Sequence, residues 1–174
     1  PNLKNVMART LLLFLISSIL AHSFSPELSR VEPRGGKLGS EIQVQLYGNR
    51  LNEPQELLLY HKGLTVKSLT PSEDGKSVKA VIAIAPDAPL GEHPMRLRCK
   101  DGLTYMRTFW VGQFPTVMEA RSEDKKRDLN NTFKEPQKID LNVTVQGVAD
   151  REDDDYYQVQ CKKGQRLSVE VEAM

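Results

Sequence analysis

The chain has 174 residues, which is enough for one domain or two small ones. Its apolar fraction of 39% and charged fraction of 27% are ordinary for a soluble globular chain. The formal net charge of +1 excludes a strong global field that would attract nucleic acid or an anionic surface.

The first 23 residues have the pattern of a secretory signal. Lys4 and Arg9 precede an apolar run that begins at Leu11, and residues 21–23 place small side chains where a signal peptidase cleaves. The apolar stretch of about eleven residues is too short to cross ~30 Å of hydrocarbon as a helix. The sequence therefore predicts an N-terminal signal helix (residues 1–23) and an exported protein, which is periplasmic, on the cell surface or extracellular. An uncleaved anchor or a buried helix is the alternative.

Residues 24–114 are predicted to form an immunoglobulin-like β-sandwich. Short runs that alternate apolar and polar residues recur between turn signals such as Asp101-Gly102. Six or seven short strands at this spacing indicate a sandwich. The predicted strands are 41–48, 56–60, 64–70, 77–84, 91–99 and 104–111.

Alternation with a period of two also predicts which side chains face the core. In the last of these strands it places Tyr105, Arg107, Phe109 and Val111 on one face, opposite Met106, Thr108 and Trp110. The other predicted inward residues are Ile42, Val44, Leu46, Val78, Ala80, Ile82, Ile84, Met95, Leu97 and Cys99.

Three short motifs in this module resemble the IPT/TIG domain. Residues 33–36 read Pro-Arg-Gly-Gly, residues 48–51 read Gly-Asn-Arg-Leu, and residues 85–91 read Ala-Pro-Asp-Ala-Pro-Leu-Gly before a predicted strand. The resemblance implies an immunoglobulin-type domain that binds partners or spaces other domains and carries no chemistry.

Residues 115–129 are predicted to be a charged interdomain linker. The basic run 125–127 could suggest a polyanion patch, but Glu119, Glu123, Asp124 and Asp128 nearly cancel its charge. The charged side chains of this segment are therefore expected to be solvated.

Residues 130–174 resemble the first half of a bacterial pre-peptidase C-terminal (PPC) domain. The segment opens with Asn130-Asn131, and the remaining matches are Asp153, Asp155, Tyr156, Tyr157, Lys162, Gly164, Gln165 and Leu167. The resemblance implies an incomplete second β-sandwich, jelly-roll-like. The residue pattern itself predicts strands near 141–145, 156–159 and 167–171. The last two are predicted to form a hairpin. This segment alone is expected to be marginal or aggregation-prone, because it would leave a sheet face and an edge uncovered.

An acidic turn supplies the candidate metal ligands. Asp150, Asp153 and Asp155 offer hard oxygen donors of the kind that calcium prefers, although the spacing is not that of an EF-hand loop. The alternative is a solvated turn whose aspartates cap backbone amides. No cofactor other than this calcium ion is predicted.

The remaining reactive residues predict no catalytic site. Cys99 and Cys161 lie in strands of different modules and are expected to be two separate, mostly buried thiols. His61 and His93 have no neighbouring Cys or Asp in sequence, and neither a nucleophile elbow nor a phosphate loop is found.

The leading hypothesis is a non-catalytic binding or spacer region of a larger bacterial exported protein, with a protein or polysaccharide partner. No nucleic-acid partner is expected, and the membrane is involved only through the signal segment. One alternative is the accessory N-terminal region of a secreted hydrolase, such as a peptidase, with its catalytic domain beyond Met174. Another is a carbohydrate-binding module that stacks sugars on Trp110 or Tyr157; otherwise Trp110 is expected in the core or a domain contact.

Overall fold

A computed structural model describes residues 25–122, 128–148 and 154–172. These residues form an all-β fold, with strands and turns but no helix among them, as the sequence predicted. The predicted signal segment, 1–23, lies outside the described residues. Within the described ranges there is no helix of sufficient length and apolarity to cross a membrane.

The first sheet contains four antiparallel strands in the order β1-β3-β6-β5. They are β1 (Glu27–Glu32), β3 (Glu41–Asn49), β5 (Leu64–Pro71) and β6 (Ser77–Ile84). β6 lies in the middle of the sheet and contributes an uninterrupted alternation of buried and outward residues. This pattern is what a strand covered on one face requires.

The second sheet has the order β2-β9-β7-β4, with a short strand β8 beside β7. Its strands are β2 (Gly35–Lys37), β4 (Pro54–Leu59), β7 (Gly91–Cys99), β8 (Gly102–Leu103) and β9 (Arg107–Gly112). β2 runs parallel to β9, and the other pairs are antiparallel. The division of strands between the two sheets is that of an immunoglobulin-type sandwich.

One hydrophobic core lies between the sheets. Phe109 is its largest fully buried side chain. The predicted inward faces are confirmed, except that Ile42 and Arg107 are only partly buried and that Tyr105 is exposed. Tyr105 is exposed because β9 begins at Arg107. The buried predicted residues are Val44, Leu46, Val78, Ala80, Ile82, Ile84, Met95, Leu97, Cys99, Phe109 and Val111.

Strands β1 and β2 were not predicted from the sequence. In β1 the pairing register shifts between Leu28 and Arg30, so its two buried residues, Leu28 and Val31, are three positions apart. This bulge removes the period-two signal. β2 has only three residues, and a Cβ on Gly35 would lie 2.5 Å from the Trp110 carbonyl oxygen. Gly35 therefore permits the close backbone approach of β2 to β9.

The second half of the described chain contains two small parallel sheets. β10 (Thr116–Met118) pairs with β12 (Thr144–Gln146), and β11 (Gln137–Lys138) pairs with β13 (Tyr157–Gln158). The predicted strands near 141–145 and 156–159 therefore exist only in shortened form.

The predicted hairpin after residue 155 is wrong in this structure. Its turn forms, since the Gln165 N–H donates to the Lys162 carbonyl and Gly164 has a φ of 83°. Its second arm forms no strand, however, and Val169 and Val171 are 80% and 88% exposed. The alternation of residues 167–171 suits a half-buried strand, but among the described residues it has no sheet to join.

Candidate functional site: buried carboxylates at the module junction

The segment predicted to be a linker is bonded to the second half of the chain. The Thr144 N–H donates to the Pro115 carbonyl, and the Glu119 N–H donates to the Gln146 carbonyl. The Gln146 side-chain oxygen also accepts a hydrogen bond from the Arg34 N–H, which lies just before β2. Gln146 therefore joins the second half of the chain to the sandwich.

Two acids that were expected to be solvated are buried here. Glu119 is 7% exposed and Asp128 is 8% exposed. Arg121 lies between them, with its Nε 2.7 Å from Asp128 Oδ1 and 3.9 Å from Glu119 Oε2. Backbone pairing of Arg121 with Asp128 holds this arrangement, while residues 123–127 lie outside the described part. The expectation was wrong because charge cancellation in sequence does not reveal pairing in space.

Both oxygens of Glu119 accept hydrogen bonds. Oε1 accepts one from the Tyr157 hydroxyl at 2.8 Å, and Oε2 accepts one from the Val148 N–H at 3.2 Å. Burial acts to raise the pKa of Glu119, but the bonds from Tyr157 and Val148, with smaller contributions from Asp155 and Asn130, together lower it. Glu119 is therefore ionised at neutral pH.

The phenol of Tyr157 is held in its protonated form. Burial raises its pKa first, and the hydrogen bond to the Glu119 carboxylate raises it further. Gly147 makes room for this pair, because a Cβ there would lie 2.8 Å from Glu119 Oε2.

Asn130 lies against this pair and is completely buried. Its backbone carbonyl accepts a hydrogen bond from the Tyr156 N–H at 2.9 Å. Its side chain is close enough to Glu119 and Tyr157 to lower the pKa of each. Neither the oxygen nor the nitrogen of its amide, however, has a partner at ordinary hydrogen-bond geometry among the described residues. A buried amide in this state is costly to the fold.

The cluster brings three carboxylates together. Oxygens of Glu119, Asp128 and Asp155 lie within 4.8 Å of one another. Of the predicted calcium ligands, only Asp155 is among the described residues; Asp150 and Asp153 lie outside them. Sequence reasoning missed Glu119, Asp128 and Asn130 as site residues, since a polar segment gives no sign of which of its acids will be buried.

The two candidate histidines lie together in the sandwich. The Nε2 atom of His93 is 2.6 Å from the Pro89 carbonyl oxygen, and its buried ring meets that of His61 edge to face at 5.1 Å between centroids. Cys99 is buried and Cys161 is exposed, both as free thiols. The prediction of separate thiols is confirmed, and that of a buried Cys161 is wrong. Trp110 is partly buried, on the opposite face of β9 from the core residue Phe109.

A shallow cleft of about 330 Å³ lies between the sandwich and β10. Tyr47 lines it from β3 and Met118 lines it from β10. The guanidinium of Arg30 stacks over the Tyr47 ring at 4.4 Å from its centroid. One face of that ring is therefore occupied already.

No protein-family model and no curated protein matches the chain. The solved structures that are similar to part of it include two SGBP-B proteins. SGBP-B from a complex xyloglucan utilization locus in Bacteroides uniformis has a TM-score of 0.37 and 16% identity over 49% of this chain and 22% of its own. SGBP-B of the Bacteroides ovatus mixed-linkage glucan utilization locus, in complex with a mixed-linkage heptasaccharide, has a TM-score of 0.37 and 22% identity over 54% of this chain and 24% of its own. The matched part is less than a quarter of either protein. The IPT/TIG and PPC resemblances stay predictions.

Proposed function

We propose that these residues are a non-catalytic spacer and display region of a larger bacterial exported protein. The observation that supports this role is the bonded junction between the sandwich and the following segment. Parallel pairing of β10 with β12 and the contact of Gln146 with Arg34 act together there. A junction with these bonds holds the next part of the chain at a defined angle to the sandwich, whereas a solvated linker would leave it free.

The experiment is a comparison of rotational tumbling in the two halves of the intact chain. ¹⁵N relaxation should give one correlation time for amides of β6 and for amides of β12. Gln146→Ala should separate the two values, because it removes the side-chain bond to Arg34. Gln43→Ala, at an exposed position of β3, is the matched control and should leave them equal. Two different correlation times in the unaltered chain would refute the spacer role.

A second candidate function is polysaccharide binding, which one surface feature favours. Tyr105 is 73% exposed in the loop between β8 and β9, beside the exposed Leu103 and Met106. An exposed aromatic ring offers a flat apolar face with a polar end, and such a face suits a sugar ring. Trp110 and Tyr157, named from the sequence for this role, are both partly buried.

This candidate is tested by pull-down with insoluble polysaccharides. Tyr105→Ala should abolish retention, whereas Tyr60→Ala, at another exposed tyrosine, should not. Equal retention of both variants would show that Tyr105 does not contribute to polysaccharide binding.

A further inference from the structure

We propose that Glu119, Asp128, Asp155 and Asn130 bind a calcium ion that fastens three separate segments of the chain at the module junction. The four residues come from the position directly after β10, from residues 128–130 and from the approach to β13. The site consists only of described residues. It does not depend on the spacer role proposed above.

The first argument is the spacing of the oxygens. Those of the three carboxylates lie within 4.8 Å of one another. Calcium–oxygen distances are about 2.3–2.6 Å, so two ligands on opposite sides of one ion are about 5 Å apart. The cluster therefore has the dimensions of a shared coordination sphere without large rearrangement.

The second argument is independent of the acids and comes from Asn130. Its side chain is completely buried and lies beside Glu119, yet its amide oxygen has no hydrogen-bond partner within the described part of the chain. A buried amide oxygen without a donor is rare in folded proteins. Amide oxygens are common calcium ligands, so an ion in the cluster would give Oδ1 the partner that these residues do not supply.

The third argument is the chemistry of the donors. Three carboxylates gather beside the guanidinium of Arg121, and hard carboxylate oxygens are the ligands that calcium prefers.

Calcium suits this donor set better than magnesium. It takes six to eight oxygens in flexible geometry, including amide and backbone oxygens, whereas magnesium demands an octahedron and keeps several waters. Glu119 and Asp128 offer little space for those waters, since both are buried.

The test is calorimetric titration of the EDTA-stripped chain with CaCl₂. We expect one binding event and a rise in the unfolding midpoint of about 2 °C or more at saturating calcium. Asp155→Asn should weaken binding by about tenfold or more, because it removes one ligand charge. Asp154→Asn, at the exposed neighbouring position, is the matched control and should bind within about twofold of the unaltered chain.

Terbium luminescence keeps the proposal testable if Asp155→Asn does not fold. Tb³⁺ in the cluster would lie close to Tyr157, which donates to Glu119 at 2.8 Å, and excitation of tyrosine should then sensitise its emission. CaCl₂ should displace it. Tyr157→Phe should reduce the emission several-fold, and Tyr105→Phe should not. Absence of both calcium heat and sensitised emission would overturn the proposal, as would an equal loss of affinity in Asp154→Asn and Asp155→Asn.

Discussion

The Tyr157 hydroxyl donates a 2.8 Å hydrogen bond to Glu119 Oε1 across 38 positions of the chain. It links β13 to the end of β10 and so joins two small parallel sheets that share no strand. The Gln137 side chain of β11 joins them as well, since its Nε2 donates to the Met118 carbonyl and its Oε1 accepts from the Ala120 N–H. A bond to an ionised acceptor that is largely buried is among the stronger single hydrogen bonds in a protein.

Tyr157→Phe should therefore loosen the second half of the described chain. The loss of a hydrogen bond to a charged group costs about 1.5–3 kcal/mol, because the carboxylate keeps its burial and loses a donor. Amide hydrogen exchange checks this at Gln137 and Ile139, whose N–H groups donate to the carbonyls of Tyr156 and Gln158. Their protection should fall by about tenfold or more. Tyr105→Phe removes an exposed hydroxyl, and if it had the same effect the contact would not be the cause.

The core of the sandwich depends most strongly on Phe109. It is the largest fully buried side chain, and its ring lies close to Gly36 of β2, where an added Cβ would be 3.4 Å from it. Phe109→Ala should lower the free energy of unfolding by about 3–5 kcal/mol through lost burial and the cavity it leaves. Urea unfolding followed by far-UV circular dichroism measures the change. Tyr105→Ala, which removes an exposed ring nearby in sequence, should change stability by no more than about 0.5 kcal/mol.

Gly48 marks a place where two strands approach closely. A Cβ added there would lie 1.8 Å from the Glu27 carbonyl oxygen, and backbone atoms cannot move aside as a side chain can. Gly48→Ala should displace β1 from β3 and destabilise the sandwich by about 1–3 kcal/mol or more. Gly112→Ala is the matched control, because its Cβ would meet Thr144 Oγ1 at an ordinary 3.5 Å. Thermal unfolding of both variants decides the matter, and equal midpoints would contradict the prediction.

Local pattern was sufficient to predict most of the sandwich. Strands such as β6 and β7 are buried on one face, so apolar and polar residues alternate in them with a period of two. This alternation is visible in the sequence. β1 was not predicted because a bulge places its two buried residues, Leu28 and Val31, three positions apart. β2 was not predicted because its three residues, Gly-Gly-Lys, show no alternation of apolar and polar side chains.

The carboxylate cluster could not be predicted in the same way. Glu119 and Asp128 lie in a polar segment, and both are buried against side chains that include Arg121 and Asn130 from the same stretch of sequence. Tyr157 reaches Glu119 from 38 positions away. A sequence pattern shows local periodicity, but it does not show which side chains come into contact in the folded chain. The one site residue that was predicted, Asp155, was found because it lies in an acidic run.

The two thiols should differ sharply in reactivity. Cys161 is exposed, whereas Cys99 is buried in the core, and burial, aided by the nearby Asp101, raises the pKa of the Cys99 thiol above its ordinary value of 9.0. Since the thiolate is the nucleophile, a disulfide reagent at pH 8 should label one thiol per native chain quickly and the second only on unfolding.

Cys161→Ser isolates the buried thiol and also reveals its effect on stability. In this variant, Cys99 should be labelled at least about a hundredfold more slowly than Cys161 is labelled in the unaltered chain. The rate should rise with urea, because the reagent reaches Cys99 only when the core opens. A raised thiol pKa means that the folded state holds its proton more tightly than the unfolded state. The resulting contribution to stability is therefore complete below pH 9 and is lost as the pH rises beyond it. Unfolding midpoints of Cys161→Ser that do not fall between pH 8 and pH 10, or labelling of Cys99 as rapid as that of Cys161, would contradict its place in the core.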